Sequence, residues 1–232
     1  MGHLDGQSAV VTGTAQGIGR AIADLLESEG AAVHRVDKDT VDLRHPAAVD
    51  AFFAALGELH ILVNDAGGVQ GQTHAPIDEL TDAAWDAVLD ANLRTTFNCT
   101  RAAARLMKPA RYGRIVNISS GAGRSVSLTG IQAYTSAKAG QIGFTRQMAH
   151  ELGPFGITVN CIAPGFVLSN PTTRAQWDSY GADGQRALLE RIAMRKTGQP
   201  SDIARGVLFF AAPDAGWVSG QTISIDGGHS LF

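Results

Sequence analysis

The sequence predicts an α/β fold: a doubly wound, mostly parallel sheet with helices on both faces. Three observations predict it. Short β-branched runs alternate with Ala-rich amphipathic stretches along all 232 residues. The β-branched runs are apolar without strict alternation, which is the pattern of strands buried on both faces. No linker, repeat or low-complexity tract interrupts the alternation, so a single domain over residues 1–232 is expected.

The elements follow in order. Ser8–Thr12 (SAVVT) is the first strand. Residues 18–28 form a helix, with Ile18, Ala21, Ile22, Leu25 and Leu26 at helical spacing. Ala32–Val36 is a second strand, Val49–Leu56 a helix and His60–Val63 (HILV) a strand. Asp82–Met107 holds one or two helical stretches. Arg114–Ile118 (RIVNI) is a strand, Ala133–Leu152 a helix and Thr158–Ile162 a strand. Pro200–Ala211 is helical, and Gln221–Ile225 closes the chain with a strand. One connection is unusually short. Only a few residues separate Asp37 from Asp42-Leu43, too few for a crossover helix of a parallel sheet. Either a third strand is vestigial there or the connection is a tight loop.

Composition narrows the function. The net charge is -3, and no run of Lys or Arg forms a basic stripe, which argues against a nucleic-acid partner. Cys99 and Cys161 stand far apart in apolar contexts and supply neither a disulfide framework nor a metal site. A reduced, cytoplasmic setting is expected. The N-terminus lacks a charged start followed by a long apolar run, and no span of about 20 apolar residues exists, so no membrane association is expected.

The stretch Thr12-Gly13-Thr14-Ala15-Gln16-Gly17-Ile18-Gly19 lies between the first strand and the first helix. Glycine lets the backbone turn tightly and approach a pyrophosphate, and the helix N-terminus offers free N–H groups to phosphate. The spacing is G-x-x-x-G-x-G, one residue off the common dinucleotide fingerprint. Asp37 ends the second strand about 20 residues further on, where an acid accepts from ribose hydroxyls and repels a 2′-phosphate. NAD is therefore expected over NADP, with Arg35 and Lys38 as the neighbouring cations.

The stretch QAYTSAKAG carries Tyr134 and Lys138 at i and i+4, on one helix face. A phenol with a pKa near ~10 is a poor acid–base catalyst at neutral pH. A nearby ammonium favours the phenolate and is expected to lower that value. Further along the chain stand Asn64-Asp65-Ala66-Gly67 after a strand, Asn92 in DANLRTTF, Ser119-Ser120 after RIVNI, and VNCIAPGFV after the next strand.

These motifs, in this order and over nearly the whole chain, resemble the short-chain dehydrogenase/reductase family. The resemblance implies a Rossmann-type dinucleotide-binding topology and reversible hydride transfer between an alcohol and a ketone. It implies a catalytic set of Asn92, Ser120, Tyr134 and Lys138. Tyr134 would be the general acid/base and Ser120 would hold the reacting oxygen, with Ser119 left to bond backbone. Asn92 would hold a water that relays protons from Lys138. The cofactor would contact Gly13, Gln16, Gly17, Ile18 and Gly19, then Asp42 and Leu43 at the adenine. Asn64, Ala66, Gly67 and Ile118 would line its middle, and Pro164, Gly165, Val167 and Ser169 its nicotinamide end, beside Tyr134 and Lys138. The family also suggests a homotetramer. Three departures stand out: the usual NNAG reads NDAG, the helix after the second strand is missing, and Ser169 replaces the usual Thr.

Residues 166–198, rich in Ser, Asn, Pro, Thr and Gly at their start, are expected to form a lid over the substrate. Arg174 in the lid, or Arg124 after the catalytic serine, would clamp a carboxylate; Trp177 lies nearby. Few large apolar side chains occur there, so a small polar substrate such as a sugar, polyol or sugar acid is expected. Two other readings stay open: a 3-oxoacyl-thioester reductase, which would want NADPH, and a cofactor-binding sensor without turnover.

Overall fold

The computed structural model describes residues 2–231. Six parallel strands form one sheet in the order β2-β1-β3-β4-β5-β6. They are β1 (Ser8–Thr12), β2 (Ala32–Val36), β3 (Ile61–Asn64), β4 (Gly113–Ile118), β5 (Ile157–Pro164) and β6 (Thr222–Ile225). The strand order reverses at β1, so a crevice opens between the C-terminal ends of β1 and β3, where ligands bind in folds of this kind.

Alternation along the central strands divides the core in two. Ala9, Val11, Ile61, Val63, Val116 and Ile118 face one side, where α1 (Gly17–Ser28) and α9 (Pro200–Ala211) cover them with Ile22, Leu26, Val207 and Phe210. Val10, Leu62 and Ile115 face the other, under α2 (Pro46–Ala54) and α4 (Thr95–Ala110), which bring Phe53, Cys99 and Met107. Burial on both faces explains why these strands read as unbroken apolar runs. Among the described residues, no helix is long and apolar enough to cross a membrane.

The short connection resolves as a loop. Residues 37–45 contain neither strand nor helix. The Thr40 and Val41 amides donate to the Asp37 carbonyl at 2.9 and 3.0 Å, and the Asp37 amide donates to Thr40 Oγ1 at 2.9 Å. No third strand flanks β2, which is therefore the sheet edge, and α2 supplies the crossover to β3. The edge carries a charge cluster: Arg35 pairs with Asp24 at 2.5 Å and Glu27 at 2.7 Å. A charged edge discourages strand addition.

The long helical region after β3 is not one smooth helix. It divides into α3 (Asp82–Leu89), a π-helical turn (Asp90–Arg94) and α4. The hydroxyls of Thr95 and Thr96 both donate to the Asn92 carbonyl, at 3.0 and 2.9 Å. Backbone bonding of this kind competes with the regular ladder. After β4 come α5 (Gly121–Arg124) and α6 (Gln132–Leu152), and α6 packs beside α4 on the same face of the sheet, with Leu152 and Met148 in the cluster of Cys99 and Met107. After β5 come α7 (Pro171–Ser179) and α8 (Gly181–Arg191). Phe166 packs against Trp177 and Tyr180 at centroid distances of 5.8 and 5.9 Å, fixing α7 over the end of β5.

Candidate active site

A cleft of about 1160 Å³ runs along the C-terminal ends of the strands. The Gly turn forms its floor. Gly13 has φ +76°, a left-handed backbone, and a Cβ there would stand 3.0 Å from the Ala66 amide nitrogen, so glycine is required on both counts. The Gln16 side chain does not cap α1, so the first amides of the helix, apart from that of Gly19 on Asp65, are available to an anion. Thr12 Oγ1 accepts from the amides of Asp65 and Ala66, both at 3.0 Å, and ties the NDAG loop to the Gly turn. Gly19 lies beneath the turn, where a Cβ would collide with the Gly13 carbonyl.

Asp37 is held at the end of the cleft nearest β2. Its Oδ2 accepts from the Ala15 amide at 2.8 Å and its Oδ1 from the Lys38 amide at 2.8 Å. Asp42 and Leu43 line the same end. Arg44 grips Asp42 through two nitrogens, at 2.9 and 2.7 Å, and holds that carboxyl below the usual range. Arg44 is thereby neutralised, while Lys38 remains on the wall.

At the other end stand Ser120, Tyr134 and Lys138, with Ile118, Pro164, Gly165, Val167 and Ser169 around them. Ser120 Oγ caps α5 by accepting from the Ala122 amide at 3.1 Å, and it shares the cleft wall with the Tyr134 phenol. Ser119 donates instead to the Lys138 carbonyl at 2.8 Å, so the two adjacent serines have separate tasks. Lys138 Nζ donates to the Ile118 carbonyl at 2.9 Å and lies 5.6 Å from the centroid of the Tyr134 ring.

The electrostatics differ from the expectation in one respect. Burial pushes the Tyr134 phenol above its ordinary 10, Ser120 opposes this, and Asp65 adds to the rise. Burial also pulls Lys138 down, countered by Asp65, and pushes Asp65 up, countered by Lys138 and by the Gly19 amide. Asp65 therefore sits as a part-buried acid against the start of α1 and close to Lys138.

Several expected site residues lie off the cleft wall. Asn92 is fully buried and its side chain is fully engaged: Oδ1 accepts from the Gly68 amide at 3.0 Å, and Nδ2 donates to the carbonyls of Gly68 and Val88 at 2.8 Å each. It shapes the Gly67-Gly68 loop. Asn64 lies beneath the wall, donating to Asn117 Oδ1 at 2.8 Å and joining β3 to β4. Arg124 turns toward β6, donating to the Thr222 carbonyl at 3.2 Å and Ser224 Oγ at 3.1 Å. Arg174 is exposed on α7, and Trp177 packs on Phe166. Sequence reasoning missed Arg191, His229 and Gln176, all on the wall. Their motifs carry no local signal; only the path of α7, α8 and the C-terminal segment brings them there.

Comparison with known proteins bears directly on this arrangement. A family profile described as Enoyl-(Acyl carrier protein) reductase matches residues 40–230. The chain is 37% identical to the (2S)-[(R)-hydroxy(phenyl)methyl]succinyl-CoA dehydrogenase subunit BbsD of Thauera aromatica, over 99% of this chain and 98% of that one. The chain belongs to the short-chain dehydrogenase/reductase (SDR) family. It is 32% identical to the 3-oxoacyl-[acyl-carrier-protein] reductase FabG of Vibrio cholerae, over 97% of this chain and 98% of that one. A crystal structure provisionally assigned as a gluconate dehydrogenase from Agrobacterium tumefaciens superposes with a TM-score of 0.89 at 31% identity, covering 99% and 98% of the two chains. A second from the same organism, provisionally a 2-deoxy-D-gluconate 3-dehydrogenase with bound NADP, superposes at 0.88 with 32% identity, covering 97% of each. Membership makes this SDR chain an oxidoreductase that uses a nicotinamide dinucleotide. The residues fit that cofactor: uncapped amides at the start of α1 for the diphosphate, a fixed carboxylate at the ribose end, and a continuous cleft to Tyr134.

Proposed function

We propose that the chain is an NAD-linked dehydrogenase that interconverts a small polar secondary alcohol and its ketone, with Tyr134 as general acid/base. The observation that carries this reading is the convergence of Ser120, Tyr134 and Lys138 on the wall of one cleft, with the Lys138 ammonium 5.6 Å from the centroid of the Tyr134 ring. When bound, the dinucleotide supplies the hydride donor or acceptor. Ser120 orients the reacting oxygen toward the phenol. Tyr134 gives a proton to that oxygen in reduction and takes it in oxidation. Lys138 stabilises the phenolate when it forms, provided its ammonium swings off the Ile118 carbonyl. Asn92 contributes by holding the Gly67-Gly68 loop.

NAD is favoured because both oxygens of Asp37 are held by backbone amides at the ribose end, where a 2′-phosphate would meet a fixed negative charge. Initial rates with NAD and NADP on a panel of alcohols and sugars test this; a preference for NADP overturns it. The kinship with 3-oxoacyl-[acyl-carrier-protein] reductases supports a second reading, an NADPH-linked reductase of 3-oxoacyl thioesters. Faster turnover of acetoacetyl thioesters with NADPH than of any alcohol with NAD selects that reading. A homo-oligomer is also proposed, supported by large exposed apolar side chains: Phe97, Phe209 and Trp217 are 40%, 55% and 99% exposed. Light scattering that returns a monomer mass overturns it.

A further inference from the structure

We propose that Arg191 and His229 form an anion-binding end of the substrate cavity, so that the alcohol oxidised carries a carboxylate. The inference rests on the dehydrogenase reading and specifies its substrate class. The ionisable side chains on the cleft wall are unevenly distributed. Asp37, Lys38, Asp42 and Arg44 gather at the end nearest β2, acids and bases together. Asp65 and Lys138 face each other behind the centre. The wall also carries Arg191 and His229, and the nearest carboxylate to His229, that of Asp226, is occupied by three backbone amides. Among the described residues Arg191, the last residue of α8, makes no ion pair. The exposed Arg191 guanidinium, with no carboxylate paired to it among the described residues, is suited to a carboxylate from the ligand.

The segment that brings His229 to this place is built to hold it. Asp226 Oδ1 accepts from the amides of Gly228 at 2.9 Å and His229 at 3.2 Å, and Oδ2 accepts from Ser230 at 2.9 Å. One carboxylate thus ties down three successive amides of the C-terminal segment. The Met194 amide donates to the Gly227 carbonyl at 3.0 Å, docking that segment onto the chain that leaves Arg191. Gly165, next to the expected nicotinamide position, lies against Asp226, where a Cβ would stand 2.6 Å from the Asp226 Cβ. The turn, Arg191 and the catalytic end of the cleft are therefore one assembly. The two arginines suggested by sequence do not compete for the role: Arg124 is engaged with β6, and Arg174, exposed as Arg191 is, does not line the cleft.

The test uses matched ligands that differ only in the acid: gluconate against sorbitol, and 3-hydroxybutyrate against its methyl ester. Calorimetric binding to the NAD-saturated protein is measured alongside kcat and KM, for wild type, Arg191→Ala, Arg191→Lys and Arg174→Ala. At least one acid should bind and turn over better than its neutral partner. Arg191→Ala should raise Kd and KM for that acid about tenfold or more, with kcat within about twofold and no change for the neutral partner. Arg191→Lys should recover part of the loss, since the charge remains and the fork does not. Equal binding of acid and neutral partner by wild type overturns the proposal, as does a loss on Arg174→Ala with none on Arg191→Ala. Failure of all alcohols to turn over, with binding of an acid still lost in Arg191→Ala, counts against the dehydrogenase reading and leaves the anion site supported. No binding of either acid sinks the site.

Discussion

Replacing Asp65 by Asn probes the most unusual electrostatic feature of the cleft. Burial raises the Asp65 carboxyl from its ordinary 3.8 to about 7, against the attraction of Lys138 and the Gly19 amide. A carboxyl raised on folding binds its proton more tightly in the folded state. Its contribution to stability is therefore complete below the unfolded value and is lost as pH rises through the folded one. Between pH 5 and 7 the folded chain keeps a proton that the unfolded chain has released. At about 1.4 kcal/mol per pH unit, with the folded carboxyl half-ionised by pH 7, the expected loss over that range is about 2 kcal/mol. Asp65→Asn removes the titrating carboxyl and keeps a side chain of the same shape. It also removes the group that holds Lys138 up, so that lysine drops further. A lysine lowered on folding loses stability as pH falls through its folded value, which gives the variant a slope that is flat or of opposite sign over the same range. Urea unfolding followed by tryptophan fluorescence, at pH 5 and 7 and fixed protein concentration, measures the difference directly. Equal loss of stability in wild type and variant would refute the assignment of a proton to Asp65.

Three other perturbations test the site. Tyr134→Phe should cost about 10²- to 10⁴-fold in kcat while the dinucleotide Kd, read by fluorescence titration, changes little; unimpaired turnover removes Tyr134 as the proton donor. Because burial raises the Tyr134 phenol and Ser120 opposes that rise, alcohol oxidation should climb with pH on the alkaline side. Ser120→Ala should move that limb to still higher pH, and an unmoved limb contradicts the proposed contact. Gly67→Ala places a methyl group on Asn92 Oδ1. The clamp on the loop should fail at a cost of about 1–3 kcal/mol, seen as a lower Tm; Asn92→Ala in the same background should add little, because both changes break one interaction.

The architecture was legible in the sequence because burial on both faces of a parallel sheet imposes a pattern on every central strand. SAVVT, RIVNI and their partners contain almost nothing but apolar and β-branched residues, and each is found in the sheet. The loops that carry the Gly turn, NDAG and the Ser pair were legible for a related reason. A backbone that must approach a dinucleotide restricts residue type locally. The π-helical turn at Asp90–Arg94 was not, since DANLR holds no Gly or Pro and the distortion comes from hydroxyls bonding one carbonyl.

Which polar side chains face the cleft was the least legible property, and the physical reason is common to every miss. Asn64, Asn92 and Arg124 are polar residues beside the site, yet each bonds a partner 24 or more positions away in the chain. Arg191 and His229 reach the wall because α8 and the C-terminal segment cross there, which no residue near them in sequence encodes. Asp65 shows the same logic at closer range. The departure from NNAG is visible as a letter, but its meaning depends on what surrounds the carboxylate: the first amides of α1 on one side and the ammonium of Lys138 on the other. An Asn at that position could bond the same amide without adding a charge. An Asp makes the start of α1, where a diphosphate would lie, share its field with a part-buried acid that titrates near neutrality. Dinucleotide affinity should therefore weaken as pH rises through that range in wild type and stay level in Asp65→Asn, which ties the one unusual residue of the motif to the ligand the motif binds.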